Sequence, residues 1–347
     1  MIKVGIIGAS GYAGSELIRY LNNHPKAKIT YLASKSLAGK SITEAYPCFR
    51  GIELPICEEY DVDRACKEAD FFFQTQGNGV GMSVAPELLK RGKKLIDVPA
   101  DFRIKNPKVY EKFYKMEHTA QDILREAVYA VADIHKDKIK TARVVANPGC
   151  YATSVILACA PLMGDDAFDH DTIIADSASG VSGAGRSKLS VSGLYCEVNE
   201  GFKAYGVATH RHRPEIEQEL ELLAGKKVTI AFTPHLAPMN RGILTTAYIR
   251  SAKKWDADKL LDRYAEYYSD SPFVIVLERG QQPCTKNVFG TNFAHIGVVF
   301  DEHTSCVIVT CAIDNMGKGA AGQAVQNFNL MNGFDPETGL MSTAVYP

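Results

Sequence analysis

The sequence predicts an α/β fold at its N-terminal end, followed by a second, α+β domain. Short apolar runs alternate with helix-period segments over the first third of the chain. A glycine-rich turn joins the first apolar run to the first helix. Beyond Cys150 the strand-like runs follow one another with few helices between them. At 347 residues the chain is long enough for two domains.

Taken in order, Ile2–Ile7 reads as a buried strand and Ser15–Asn22 as the helix after it. Ile29–Ala33, Phe71–Gln74 and Leu95–Val98 read as further strands, with helical character over Val84–Arg91. Strands separated by helices imply parallel pairing through right-handed crossovers. Val144–Ala146 leads into a helix whose apolar face is Ala152, Val155, Ile156 and Cys159, closed by Pro161. Strand-like runs then occupy Thr172–Asp176, Val228–Thr233, Ile243–Arg250, Phe273–Leu277, His295–Phe300 and Cys306–Ile313. The helix Pro214–Leu223 opens on proline and stops before Gly225. A last helix, Ala320–Met331, is expected to return to the first domain.

Composition excludes several classes of function. Hydrophobic residues make up 46% and charged residues 23%, enough apolar content for a core. With 39 Lys and Arg against 40 Asp and Glu, the formal charge is −1, which argues against nucleic acid or a membrane surface as partner. No apolar stretch reaches the ~20 residues of a spanning helix, and MIKVGIIGAS lacks the pattern of a signal peptide. The nine cysteines contain no C-x-x-C pair, so neither a zinc ribbon nor a dithiol centre is signalled and no metal is expected. Reduced thiols fit a cytoplasmic protein.

Gly8, Ala9, Ser10, Gly11, Tyr12, Ala13 and Gly14 lie between the first strand and the first helix. Glycines there let the backbone approach a pyrophosphate, and the open N–H groups of the helix start hold its charge. After the second strand come Ser34, Lys35 and Ser36, where an NAD site usually carries an acid. A hydroxyl and a cation there suit a 2′-phosphate, so NADP(H) is the expected cofactor.

Cys150 is set apart from the other eight cysteines. It ends the turn Asn147-Pro148-Gly149-Cys150 at the start of a helix, where the helix dipole favours a thiolate. A nucleophilic thiol needs a proton donor or acceptor, and Thr209-His210-Arg211-His212-Arg213-Pro214-Glu215 is the densest source. One histidine can serve the thiol while an arginine grips an anion. His235 reads as a structural hydrogen-bonder. A second glycine-rich loop, Ser179-Gly180-Val181-Ser182-Gly183-Ala184-Gly185-Arg186, suits another anionic contact, from cofactor or from substrate phosphate.

These stretches, with Gly39-Lys40-Ser41, Ala100-Asp101-Phe102-Arg103, Ala146–Tyr151, Phe232–Leu244 and Asp314–Leu330, resemble the N-acetyl-γ-glutamyl-phosphate reductase family of arginine biosynthesis along nearly the whole chain. The resemblance implies a Rossmann NADP-binding domain (1–149 and 315–347) completed by the C-terminal helix, with an α+β substrate and dimerisation domain (150–314) inserted before that helix. It implies Cys150 as nucleophile and His210 as acid/base, with His212 the alternative. Arg103, Arg211 and Asn147 would contact the acyl-phosphate substrate. Ser179, Gly180, Gly183 and Asn315 would join the glycine turn in holding the cofactor. It also implies reduction of the acyl phosphate to the semialdehyde through a cysteine thioester, in a homodimer or homotetramer. Departures stand at Gln74-Thr75-Gln76-Gly77, Val98-Pro99 and Ala130-Val131-Ala132-Asp133. Aspartate-semialdehyde dehydrogenases share the logic, as does a lysine-pathway reductase of a carrier-bound substrate. The electrical balance argues against an acidic carrier, and an intact Cys150 argues against a silent NADP-binding regulator.

Overall fold

The computed structural model describes residues 1–186 and 193–346. Its first elements are β1 (Ile2–Ile7), α1 (Tyr12–Asn22), β2 (Ala27–Ala33), α2 (Val62–Glu68), β3 (Phe71–Gln74), α3 (Val80–Lys90) and β4 (Lys94–Asp97). Then come α4 (Pro107–Tyr114), α5 (Gln121–Glu126), β5 (Val128–Tyr129), α6 (Lys136–Lys140) and β6 (Val144–Ala146). The middle of the chain holds α7 (Cys150–Cys159), β7 (Ile173–Ser179), α8 (Tyr195–Val198), β8 (Lys203–Ala204), α9 (Arg213–Ala224) and β9 (Ile230–Leu236). It continues with β10 (Ile243–Arg250), α10 (Ala257–Tyr267), β11 (Val274–Val276), β12 (Ala294–Asp301) and β13 (Cys306–Ile313), and the chain closes with α11 (Gly322–Met331).

Two compact units result. The first comprises Met1–Pro148 and Ala320–Met341, together with Gly185 and Arg186. Its six-stranded sheet runs β2-β1-β3-β4-β6-β5 and every pairing is parallel. This is the Rossmann-type α/β architecture expected from the alternating pattern. Phe71 and Phe73 of β3 are fully buried, and Phe328 of α11 meets them edge-on at 4.8 Å and tilted at 5.8 Å between ring centroids. His24 also meets Asn329 of α11 at 2.8 Å. Burying such apolar side chains is worth about 1.5–3 kcal/mol each, which is why the last helix belongs to this unit despite its distance in sequence.

The second unit, Gly149–Ala184 with residues 193–319 and 342–346, carries a seven-stranded mixed sheet, so Asn315–Gly319 and the last residues of the chain group with it and not with the first unit. Its order is β11-β12-β13-β10-β7-β9-β8. β13 pairs antiparallel with both β10 and β12, whereas β7 pairs parallel with β9. α7 is buried along almost its whole length, only Cys150 keeping partial exposure.

Several boundaries differ from the sequence expectation for identifiable reasons. α1 begins at Tyr12 because Gly11, extended at φ −78°, is the residue before it. β7 continues to Ser179 because its inward hydroxyls are satisfied across the sheet: Ser177 Oγ lies 2.7 Å from Thr245 Oγ1. α3 begins at Val80 and accommodates Pro86 inside it. α10 was not expected at all. Only Leu260 and Tyr264 of that helix are buried, and the Asp256 carboxylate caps it by accepting from the Asp258 and Lys259 N–H groups.

Candidate active site

In the first unit, Gly8 adopts φ +95° at the end of β1, a conformation that favours glycine. A Cβ on Gly14 would fall 2.5 Å from the Gly8 carbonyl oxygen, so the turn closes only with glycine at that position. Ser10 rides on this turn, with Tyr12 exposed beside it and Ala13 partly exposed. Ser34, at the end of β2, donates its hydroxyl to Ser10 Oγ at 2.7 Å. Ser36 Oγ stands 3.2 Å from Ser10 Oγ and 3.3 Å from Ser34 Oγ. Three hydroxyls thus gather where an NAD-binding chain would place an acid, and Lys35 is exposed next to them. The backbone turn and the donor set fit a dinucleotide bearing a 2′-phosphate.

Arg103 and Asn147 also belong to the first unit. Arg103 is buried, donates from Nη2 to the Val98 carbonyl at 2.5 Å and lies within electrostatic reach of Asp97. Burial and the neighbouring Asp101 hold the Asp97 carboxyl well above the usual carboxylate range, against the pull of Arg103. Asn147 is fully buried; its amide donates to the Ala320 carbonyl at 3.0 Å and accepts from Asn327 at 3.1 Å. Both side chains are thus held in place by partners within the unit.

In the second unit, Cys150 is the first residue of α7, half-buried, with Gly149 extended before it. Helix geometry leaves the N–H groups of that first turn without partners inside the helix. Glu215, fully buried in α9, accepts the Gly149 N–H at 2.6 Å. The segment before α9 is thereby fastened to the start of α7. His210 sits in an aromatic enclosure, edge-on to Tyr151 at 5.5 Å, Tyr205 at 5.6 Å and Phe232 at 5.5 Å. Tyr205 donates to the Tyr151 hydroxyl at 3.0 Å, and Tyr151 donates to the His235 carbonyl at 3.1 Å. Burial raises the Tyr205 phenol to about 12 and the Tyr151 phenol further, and the charge of Cys150 adds to both. Thiol and imidazole therefore share the two phenols as neighbours.

The two histidines are not equivalent. Burial, reinforced by the Arg211 cation, pushes His210 down to about 4. Its Nδ1 accepts the His212 backbone N–H at 3.2 Å, which assigns the proton of the neutral ring to Nε2. His212 is more buried, at 8% exposure, while Arg211 is exposed. His235 is engaged through its carbonyl and stacks on Phe202 at 5.3 Å. Asn315 is buried; its Oδ1 accepts the Gly242 N–H at 2.8 Å and its Nδ2 donates to Ser182 Oγ at 2.9 Å. The neighbouring Asp314 carboxylate, paired with Arg241 at 2.9 Å, accepts the Met316 and Gly317 N–H groups and fixes that turn.

The loop after β7 is tied down as well. Gly180 N–H donates to Gly242, Val181 to Met239 and Ser182 to Asn240. Ser179 is buried, and Gly183 faces Asn315 and Ser179. Tyr151 and Tyr205 were not singled out in the sequence; Tyr205 lies 55 positions from Cys150, and no local spacing marks it. Glu215 lay within the histidine segment, where its position just inside a helix start was the available signal. Among the described residues no cluster of His, Cys, Asp and Glu could hold a metal ion, and no helix is long and apolar enough to cross a membrane.

Residues 3–142 match the family model described as the NAD binding domain of semialdehyde dehydrogenase, and residues 150–315 match that of its dimerisation domain. The chain is 48% identical to the N-acetyl-gamma-glutamyl-phosphate reductase of Desulforamulus reducens over 347 residues, covering 100% of both. It is 47% identical to that of Pelotomaculum thermopropionicum over 346 residues, covering 100% of this chain and 99% of the relative. Among solved structures, aspartate semialdehyde dehydrogenase II from Vibrio cholerae superposes with a TM-score of 0.73 at 17% identity, covering 96% of this chain and 98% of that one. Aspartate semialdehyde dehydrogenase with NADP from Candida albicans gives 0.69 at 16% identity, with the same coverage. At those identities the solved structures speak for the fold. By full-length identity to its curated relatives, the chain belongs to the N-acetyl-gamma-glutamyl-phosphate reductase family of semialdehyde dehydrogenases.

Proposed function

We propose that this chain reduces N-acetyl-γ-glutamyl phosphate to N-acetylglutamate 5-semialdehyde and phosphate, using NADPH and a thioester on Cys150, as a step of arginine biosynthesis. The observation that carries the chemistry is Cys150 at the open start of α7, half-buried and sharing its phenol neighbours with a neutral His210. The Cys150 sulfur attacks the acyl carbon, the C–O bond to phosphate breaks, and phosphate leaves with the electron pair. First-turn N–H groups of α7 are the donors available to the carbonyl oxygen as it gains charge. His210, with Nδ1 occupied, presents Nε2–H to that oxygen as a neutral donor. When bound, the reduced nicotinamide would supply the hydride; the C–S bond then breaks with its electron pair returning to the Cys150 sulfur, and the semialdehyde leaves. Arg211, exposed before α9, would grip a substrate anion, together with Arg103 and Asn147.

The cofactor would be held by Gly8, Ser10, Gly11, Tyr12, Ala13 and Gly14 with Ser34, Lys35 and Ser36, and Ser179, Gly180, Gly183 and Asn315 would form a second contact. The assembly is a homodimer or homotetramer through the mixed sheet. Ile174, Tyr248, Ile308 and Val299 form a row in register across β7, β10, β13 and β12, and Ile174, Tyr248 and Val299 are solvent-exposed. Cytoplasmic residence completes the reading. It is tested by phosphate-dependent reduction of NADP with N-acetylglutamate semialdehyde and with aspartate semialdehyde. Preference for the latter would overturn the substrate assignment. A sedimentation measurement on Tyr248→Glu, expected to dissociate the assembly, tests the interface.

A further inference from the structure

We propose that Arg186, at the end of the second glycine-rich loop, is a cofactor-specificity residue that closes the 2′-phosphate subsite formed by Ser10, Ser34 and Ser36. This rests on the NADP reading above and assigns to it a residue far from that turn in sequence. Arg186 clusters with the first unit, and its Nη1 donates to the Ser10 carbonyl at 3.3 Å. Its guanidinium lies over the Tyr46 ring, 5.0 Å from the centroid, and Tyr46 itself donates to the same Ser10 carbonyl at 2.9 Å. The cation is thus laid on an aromatic face beside the residue whose hydroxyl belongs to the serine triad.

Three hydroxyls within 3.3 Å of one another supply neutral donors but no charge. A phosphate dianion held only by hydroxyls lacks a counter-charge, and Arg186 provides it in a planar group suited to two phosphate oxygens at once. Among the described residues no carboxylate pairs with Arg186, so its charge is not already spent on a neighbour. Lys35, exposed on the next turn, is the second cation of the region. The arginine of the second glycine-rich loop thereby serves cofactor recognition and not the substrate phosphate.

The test is equilibrium binding of adenosine 2′,5′-bisphosphate and of 5′-AMP to the full chain, by calorimetry, in wild type, Arg186→Leu and Arg186→Lys. Wild type is expected to prefer the bisphosphate by about 100-fold. Arg186→Leu should lose about 10- to 50-fold in bisphosphate affinity with 5′-AMP affinity unchanged, which also reports intact folding, and with weaker salt dependence. Arg186→Lys should fall between the two, because a point charge replaces a two-pronged donor. Wild-type discrimination that survives unchanged in Arg186→Leu would overturn the assignment of Arg186 alone. A wild type that does not discriminate would overturn the NADP reading and Arg186 with it.

Discussion

The two ends of α7 each carry a cysteine, and the same helix gives them different surroundings. Cys159 closes the helix fully buried, and burial alone pushes its thiol up to about 12. Cys150 opens the helix half-buried, at the positive end of the helix dipole and near the phenols that enclose His210. Nine residues along one helix separate a small packing group from a candidate nucleophile. In the proposed reading, reactivity comes from which end of the dipole and which side of the core a sulfur occupies, and hardly from residue type.

That contrast can be broken in several ways. Cys150→Ser should lower phosphate-dependent NADP reduction by at least ~10³-fold while adenosine 2′,5′-bisphosphate still binds; Cys159→Ser should leave turnover within about threefold and cost ~1–3 kcal/mol in urea unfolding. Comparable losses of turnover in both would erase the distinction. His210→Asn should reduce kcat by about 10²–10³-fold, and His212→Asn by less than about tenfold; the reverse order would move the acid/base role to His212. Iodoacetamide at neutral pH should modify Cys150 at least ~10-fold faster than Cys159 or Cys311, whose thiol is also pushed up to about 12 by burial, as read by peptide mass mapping.

The smallest effect concerns pH. His210 and His135 both sit at about 4, below the ordinary 6.5, so between those values the unfolded chain binds more protons than the folded one. Stability should fall as pH drops through that window, by roughly 1.4 kcal/mol per pH unit for each imidazole. Urea midpoints for wild type and His135→Gln, measured from pH 7 to pH 4.5, check it; the variant should show the shallower slope. Turnover should show no acid limb from His210 near pH 6.5.

Much of this was legible in the residues. Ile2–Ile7, Phe71–Gln74, Val144–Ala146, Ile243–Arg250 and Cys306–Ile313 stand at the bounds read from sequence, since uninterrupted apolar or alternating runs leave little choice of register. β7 and β9 were read short, because Ser177, Ser179 and His235 look like loop residues until cross-strand partners satisfy them. α10 did carry a signal in the sequence: Leu260, Tyr264 and Tyr268 stand at i, i+4 and i+8 behind the capping Asp256, a narrow stripe in an otherwise polar stretch. At the site, the glycine turn and Cys150 could be seen locally. Tyr205 could not, since its partnership with Tyr151 exists only after β8 pairs with β9. The partners of Arg103 and Asn147 were likewise invisible in the sequence: Val98, Ala320 and Asn327 meet them only in the fold.

The carboxylate of Glu215 has one more consequence. Because it clasps the amide just ahead of the Cys150 sulfur while rooted in the helix that follows the His210 imidazole, the two proposed reacting groups are harnessed to one rigid strut. A displacement of either helix would drag both along, preserving their mutual spacing at the expense of independent adjustment.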